Sequence, residues 1–413
     1  LSRTTDLPRT AVPQGVASFF PDLAARKRRL EAGALATFGR WGYREVVPPL
    51  FEYLDVLAQG LVPETVERGY KIEDRQDGRL MVLRPDVTAQ VARMAAARRD
   101  DPARPHRYAY AVGVFTHAEA HSGRPREVFQ VGAELLGPRG VAADVEILSL
   151  LIATLRDLGL TAFEVALGQA GYFQGILDGL GLGDGDREAL TEAMFRRDAP
   201  DVARRLAAAG VAPERCDRLA RVPFLIGGAE VLAEARSLTD APGAHAALDH
   251  LEAVVEGLEA AGLADPLRLD LGETRDLTYY TGVVFEVLVP DLGFALGGGG
   301  RYDDLVGRFG HPMDAVGFAL DVERLLEALG RAGETAAEPG LDYVVAGPAE
   351  AAQRAAAALR AEGLSVAVAL PGEDPAVPLL TAGADGLTRQ AGGKPEAVDV
   401  QALVREARRH GGR

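Results

Sequence analysis

Two periods of apolar and polar positions run along the chain. From Pro21 to Arg40 the residues Leu23, Leu30, Ala34 and Phe38, with Trp41 just beyond, recur at three- to four-residue spacing or multiples of it, which predicts an amphipathic helix. "GYREVVPPLFEY" then predicts a helix stop and a strand, with Pro48 and Pro49 at the strand's end, where a missing N–H is tolerated. "GRLMVLRPDVTAQVARMAAARR" predicts a strand, a Pro-Asp turn and a helix. "RYAYAVGVFTHAEA" and "REVFQVGAELLG" predict two strands of one long hairpin around the polar loop His121–Pro125. In "DVEILSLLIATLRDLG" Val145, Leu148, Leu151, Ile152 and Leu155 return at helical spacing.

Residues from about 170 to 260 are short, Ala-rich helical segments, an insertion rather than a repeat. Strands resume in "PLRLDLGETRDLTYYTGVVFEVLVP" and "GFALGGGGRYDDLVGRFG", and a helix follows in "DVERLLEALG". The small, charged and Gly/Pro residues of "RAGETAAEPG" predict a linker over 331–340. Beyond it lie a compact β-α-β unit and a Gly/Pro/Asp-rich tail with one late helix. The expected fold is therefore α+β. A core over 1–330 has an antiparallel sheet flanked by helices, and a small, reduced α/β domain occupies 341–413.

Composition narrows the function classes. With 413 residues, 47% of them hydrophobic, the chain can bury a large core and more than one domain. A net charge of −15 argues against a polyanion as the main partner, though not against a local basic pocket. Cys216 is the only cysteine, so no intramolecular disulfide forms, and its polar setting does not favour a catalytic thiol. No apolar run reaches the ~18 residues of a membrane span, and "LSRTTDLPRTAVPQG" lacks the apolar core of a signal peptide. The expectation is a cytoplasmic protein without a membrane partner.

The candidate chemistry is ambiguous motif by motif. "HAEAH" resembles a zincin helix, but Ala118 stands where Glu must follow the first histidine, and the segment is a strand end, so no metal site is expected. Gly297–Gly300 lacks the Lys-Ser/Thr of a phosphate loop and is either a flexible bulge or a place of close backbone approach to a ligand. In "RPDVT", Asp86 is either a helix cap or, with Thr88, an acceptor pair for an ammonium group. "QVGAE" puts Gln130, Gly132 and Glu134 on one face of a strand, solvated or lining a cleft. "TRDLTYYTG" supplies Arg275, Tyr279 and Tyr280.

Together, from about Val12 to Leu329, these pieces resemble the catalytic core of the class II aminoacyl-tRNA synthetases, and within them the histidyl enzymes. The helix from Pro21 to Arg40 with "GYREVVPPLFEY" resembles the dimer-forming first motif, Pro49 being at its proline, "GVFTHAEAHSGRPREVFQVGAELLG" the strand-loop-strand second, and "AVGFALDVERL" the third, with Arg324 at its arginine. The resemblance implies a histidine-like ligand pocket in which Asp86 and Thr88 hold the α-ammonium. Gln130, Glu134, Tyr279 and Tyr280 would line it, and Arg275 would sit where the family's extra catalytic arginine reaches the carboxylate and phosphate. The second motif of an active synthetase begins Phe-Arg-x-Glu, and here Phe115 is followed by Thr116, His117 and Ala118. Loss of that fixed positive charge at the ATP phosphate removes several kcal/mol of transition-state stabilisation, on the order of the loss of an oxyanion donor. Arg124 and Arg126 remain in the loop, Arg124 and Arg324 being the residual nucleotide-side positions, and Thr278 replaces the aspartate expected before the tyrosine pair. In the C-terminal domain only the first β-α-β is expected to survive, and acidic residues there slightly outnumber basic ones, so no tRNA partner is expected. This combination is similar to the ATP phosphoribosyltransferase regulatory subunits, synthetase paralogues without catalytic residues or cofactors. That resemblance implies a short-form catalytic partner, a hetero-octamer, a homodimer through the first motif, and histidine as effector. The rival is a diverged histidyl-tRNA synthetase.

Overall fold

The computed structural model describes residues 10–98, 105–117, 125–272, 279–333, 340–372, 377–383, 386–391 and 394–411. Two compact units divide the chain, one comprising 1–19 and 26–334, the other 20–25 and 335–413.

Helix α1 (Pro21–Arg40) leads to β1 (Arg44–Glu45). Strand β2 (Phe51–Tyr53), the short helices α2 (Leu54–Leu57) and α3 (Pro63–Arg68), β3 (Lys71–Glu73), β4 (Leu80–Leu83) and α4 (Thr88–Ala97) follow. The long hairpin is β5 (His106–Phe115) and β6 (Glu127–Leu136), then come α5 (Val141–Asp157) and β7 (Glu164–Gln169). The insertion carries α6 (Ala170–Asp178), α7 (Asp184–Phe195), α8 (Ala199–Ala208), α9 (Pro213–Leu219), β8 (Ile226–Gly227), α10 (Glu230–Leu238) and α11 (Pro242–Ala260). Strands β9 (Leu267–Asp270), β10 (Val283–Leu288), β11 (Gly297–Arg301) and β12 (Ala315–Asp321) and helix α12 (Val322–Arg331) complete the first unit.

Nine strands form its main sheet in the order β1-β5-β6-β12-β11-β10-β7-β9-β8. Every pairing from β5 to β7 is antiparallel, as expected for an α+β fold. Because side chains alternate along a strand, β6 sends Val131, Ala133 and Leu135 into the main core with Ile147, Leu148 and Leu151 of α5. Glu134 and Leu136 point to the opposite face, where Leu136 packs with Val91 and Ala95 of α4. The site described below lies on that second face.

Two expectations need correction. "GYREVVPPLFEY" is not one strand: β1 pairs with β5, whereas β2 joins a separate three-stranded sheet, β2-β4-β3. The physical reason is Pro48–Pro49, which cannot continue a hydrogen-bonded ladder. The prolyl carbonyls instead accept from Nη1 of Arg84, at 2.9 and 3.4 Å, while Arg84 Nε donates to Gly113 O at 2.6 Å. Burial lowers the pKa of Arg84.

The second correction concerns the C-terminal unit, expected to keep only a β-α-β. Beyond β13 (Tyr343–Ala346), α13 (Ala349–Ala361) and β14 (Val366–Val368) it adds β15 (Leu379–Gly383), β16 (Gly386–Ala391), β17 (Lys394–Val398) and α14 (Val400–Gly411). The result is a five-stranded sheet, β14-β13-β15-β16-β17, with its own core of Val345, Leu359, Leu380, Leu387, Leu403 and Val404.

Candidate functional site

Pro85 and Asp86 lead the chain off β4 into α4. Asp86 Oδ1 accepts from Ala89 N at 2.9 Å, so a carboxylate caps the helix and favours its positive end. Thr88, the first residue of α4, donates its hydroxyl to Glu134 Oε1 at 2.9 Å. Two more hydroxyls converge on the same carboxyl: Tyr110 donates to Oε1 at 3.3 Å and Tyr302 to Oε2. Glu134 is 1% exposed. Burial raises its pKa to about 8, the three hydroxyls pull it down and the charge of Asp86 pushes it up. The hydroxyls of Tyr279 and Tyr302 are also raised, first by burial and then by nearby charge, that of Asp86 for Tyr279 and of Glu134 for Tyr302.

Above this network lies a cavity of about 230 Å³. Asp86, Thr88, Tyr279, Tyr280 and Tyr302 form its polar side, and Gly298, Gly299 and Gly317 line it where side chains would fill it. The glycines are structural necessities. A Cβ on Gly317 would lie 1.7 Å from Glu134 Oε2, and one on Gly299 would lie 2.0 Å from Gly317 O. Tyr280 rests against Gly300, where a Cβ would meet its ring at 2.8 Å. Gly297–Gly300 is thus neither a flexible bulge nor a loop. It belongs to β11, bonded to β10 on one side and β12 on the other.

The structure brings together Asp86, Thr88, Glu134, Tyr279 and Tyr280 of the sequence-derived set. Gln130, paired with Asp321 in the sheet, is outside the lining of the cavity. So is Arg324, which pairs with Asp321 Oδ2 at 3.1 Å and donates to Ala295 O at 2.5 Å. Arg124, Arg275, Thr278 and the hairpin tip His121–Arg124 lie outside the described residues. His117 ends the β5 segment with its ring 6.1 Å from that of Tyr70. Thr116, the replacement for the synthetase arginine, lines the cavity. Sequence reasoning missed Tyr110 and Tyr302 as partners of Glu134. Tyr302 sits inside "GGGGRYDDL", but nothing local signals that its hydroxyl reaches a residue on β6.

Comparison with known proteins gives concordant results. The family model described as histidyl-tRNA synthetase matches residues 15–325. The ATP phosphoribosyltransferase regulatory subunit of Symbiobacterium thermophilum is 44% identical over 348 residues, 84% of this chain and 86% of that one. Its counterpart from Geobacter metallireducens is 39% identical over 334 residues, 81% of this chain and 77% of that one. A Bacillus halodurans crystal structure, described as an ATP phosphoribosyltransferase regulatory subunit/histidyl-tRNA synthetase, covers 90% of this chain and 95% of its own at TM-score 0.79 and 29% identity. Histidyl-tRNA synthetase from Nostoc shares the fold at TM-score 0.77 and 20% identity, over 98% of this chain and 100% of its own.

Proposed function

We propose that this chain, which belongs to the histidyl-tRNA synthetase family and within it to the ATP phosphoribosyltransferase regulatory subunits, is a non-catalytic partner of a short-form phosphoribosyltransferase in the cytoplasm. In this reading the complex carries out the first step of histidine biosynthesis, and histidine inhibits it through the cavity beside Glu134. The observation that carries the reading is the charge of that cavity. Among the described residues lining it, Asp86 is the sole Asp, Glu, Lys, Arg or His, and Thr116 lines it at the position where, by the resemblance, a synthetase carries its arginine. A triphosphate would meet a carboxylate and no described cation, which is unfavourable. An ammonium group, by contrast, finds Asp86 at its level and the raised, hydroxyl-ringed carboxyl of Glu134 beneath. At about 230 Å³ the space accommodates an amino acid.

The assembly is proposed as a homodimer through α1 and the segment after it, on which catalytic subunits gather into a hetero-octamer. The test has two parts. Histidine-dependent exchange of pyrophosphate into ATP is expected to be absent, and turnover on the order of 1 to 10³ per second would overturn the proposal. A short-form catalytic subunit is expected to gain activity and histidine sensitivity when this chain is added, and failure of both outcomes rejects the partnership.

A further inference from the structure

The helical insertion reaches the cavity wall through a buried ionic chain. Asp144, in the first turn of α5, is fully buried. Its Oδ1 accepts from Arg301 Nε at 2.9 Å and lies 2.7 Å from Arg301 Nη2. Its Oδ2 accepts from Nε2 of His250, on α11, at 2.7 Å. Arg301, 5% exposed, also donates Nη1 to Asp303 Oδ1 at 2.9 Å. A buried carboxylate is tolerated only while its partners hold their places, so loss of one partner leaves the remaining charges imperfectly compensated.

What Arg301 holds is the tyrosine wall. Its carbonyl accepts from Thr281 N at 2.7 Å, and Thr281 Oγ1 accepts from Asp303 N at 3.0 Å. Its aliphatic stem lies against Gly282, where a Cβ would come within 2.8 Å of Cδ. Tyr279 and Tyr280 therefore enter the cavity from a segment fastened to Arg301, and Tyr302, the residue just after β11, donates to Glu134. The insertion grips the same segment a second time, since Gln174 of α6 donates to Tyr280 O at 3.3 Å. The helices α6 and α11 pack directly against each other. They approach so closely at Gly175 that a Cβ there would lie 2.3 Å from Ala244 N of α11.

We propose that His250 and Asp144 are positioning residues for the cavity: through Arg301 they set the Tyr279–Gly282 wall, so that filling the cavity and seating the insertion helix α11 are one equilibrium. The ligand arm of this inference rests on the proposed histidine site, and the wall arm does not. His250 is replaced by Leu, which cannot donate to Asp144, and by Gln, whose amide can. In the ligand-free chain, hydrogen exchange at the Thr281 amide is expected to be faster in His250→Leu and to return to the wild-type rate in His250→Gln. L-Histidine affinity, by calorimetry, is expected to fall about tenfold in His250→Leu, the size of one lost charge-assisted hydrogen bond, and to recover in His250→Gln. Histidine is also expected to slow exchange across α11 in the wild type. Unchanged Thr281 exchange in a folded His250→Leu protein overturns the inference whether or not histidine binds. Equal histidine affinity of the leucine variant and the wild type also overturns it. A wild type that binds no histidine defeats the proposed ligand instead, and Thr281 exchange still decides the positioning role. Should His250→Leu not fold, His250→Ala takes its place with the same expected and overturning results.

Discussion

Glu134 shows how one residue can couple the stability of the fold to pH. Its carboxyl titrates near 8 in the folded protein against an ordinary value of 4.5, chiefly because burial disfavours the charge. In that interval the native state keeps a proton that the unfolded chain has released. Native stability therefore falls as pH rises from the lower value to the upper, at about 1.4 kcal/mol per pH unit for this group alone. Glu134→Gln removes the titration, keeps an oxygen for the hydroxyls of Thr88 and Tyr110 to donate to, and turns an amide N–H to the hydroxyl of Tyr302, which can accept. Urea unfolding between pH 5 and 8 is expected to give the glutamine variant the flatter dependence. Parallel profiles for the two proteins would show that the carboxyl is already ionised at neutral pH. Arg84 presents the converse case, a buried cation that donates to backbone carbonyls at the Pro48–Pro49 corner. No sequence pattern announces that use of an arginine.

At the scale of elements, β11 is the instructive strand. Four consecutive glycines have low strand propensity and no side-chain alternation, so nothing in the sequence distinguishes them from a loop. Their strand character comes from both neighbours: β10 and β12 bond to β11 residue by residue, and the backbones approach too closely for a Cβ. Gly299→Ala is accordingly expected to destabilise the fold by about 1–3 kcal/mol, as overpacking does. In α1, exposed Gly39 has nothing within 4 Å of an added Cβ, so Gly39→Ala is expected to stabilise the protein by about 0.5–1 kcal/mol. Urea midpoints check both, and a shift of the same sign in the two variants would refute the contrast. The long amphipathic pieces α1, α5 and the β5–β6 hairpin were legible because each repeats its period over many residues. Strands β15, β16 and β17 were not: each is five or six residues long with few apolar positions among Thr, Gly and charged residues. The site divides in the same way. Asp86, Thr88, Glu134 and the Tyr279–Tyr280 pair were visible as motif residues, while Tyr110 and Tyr302 join them only through sheet register and tertiary packing.

For the whole molecule, an exposed apolar stretch and the cavity beside Glu134 make different demands. Val47 is 75% exposed, with Leu50 and Phe51 about half exposed beside it, a run that calls for a covering surface. Under the proposed assembly it lies in a homodimer interface, and Val47→Asp combined with Phe51→Asp is expected to give a monomer by solution scattering at micromolar concentration. A wild-type monomer, or a doubly substituted dimer, excludes this segment as the interface. The cavity requires a second property of the complex. Feedback by histidine at a site apart from the reaction needs two global states that bind it unequally, with a coupling free energy of about 1–3 kcal/mol. Gly298 and Gly299 belong to a central strand and cannot reorder as a loop. On the inference drawn above, the difference between the states lies in the tyrosine wall and in the helices that grip it. Linkage makes the coupling reciprocal, so ATP and phosphoribosyl pyrophosphate must weaken histidine binding by the factor by which histidine weakens theirs, about 5- to 150-fold. Calorimetric titration of the reconstituted complex with histidine, with and without saturating substrates, measures that factor. If histidine inhibits turnover while its affinity is indifferent to substrate, inhibition does not act through substrate affinity. The coupling would then have to be sought in a kinetic step, where reciprocity does not hold.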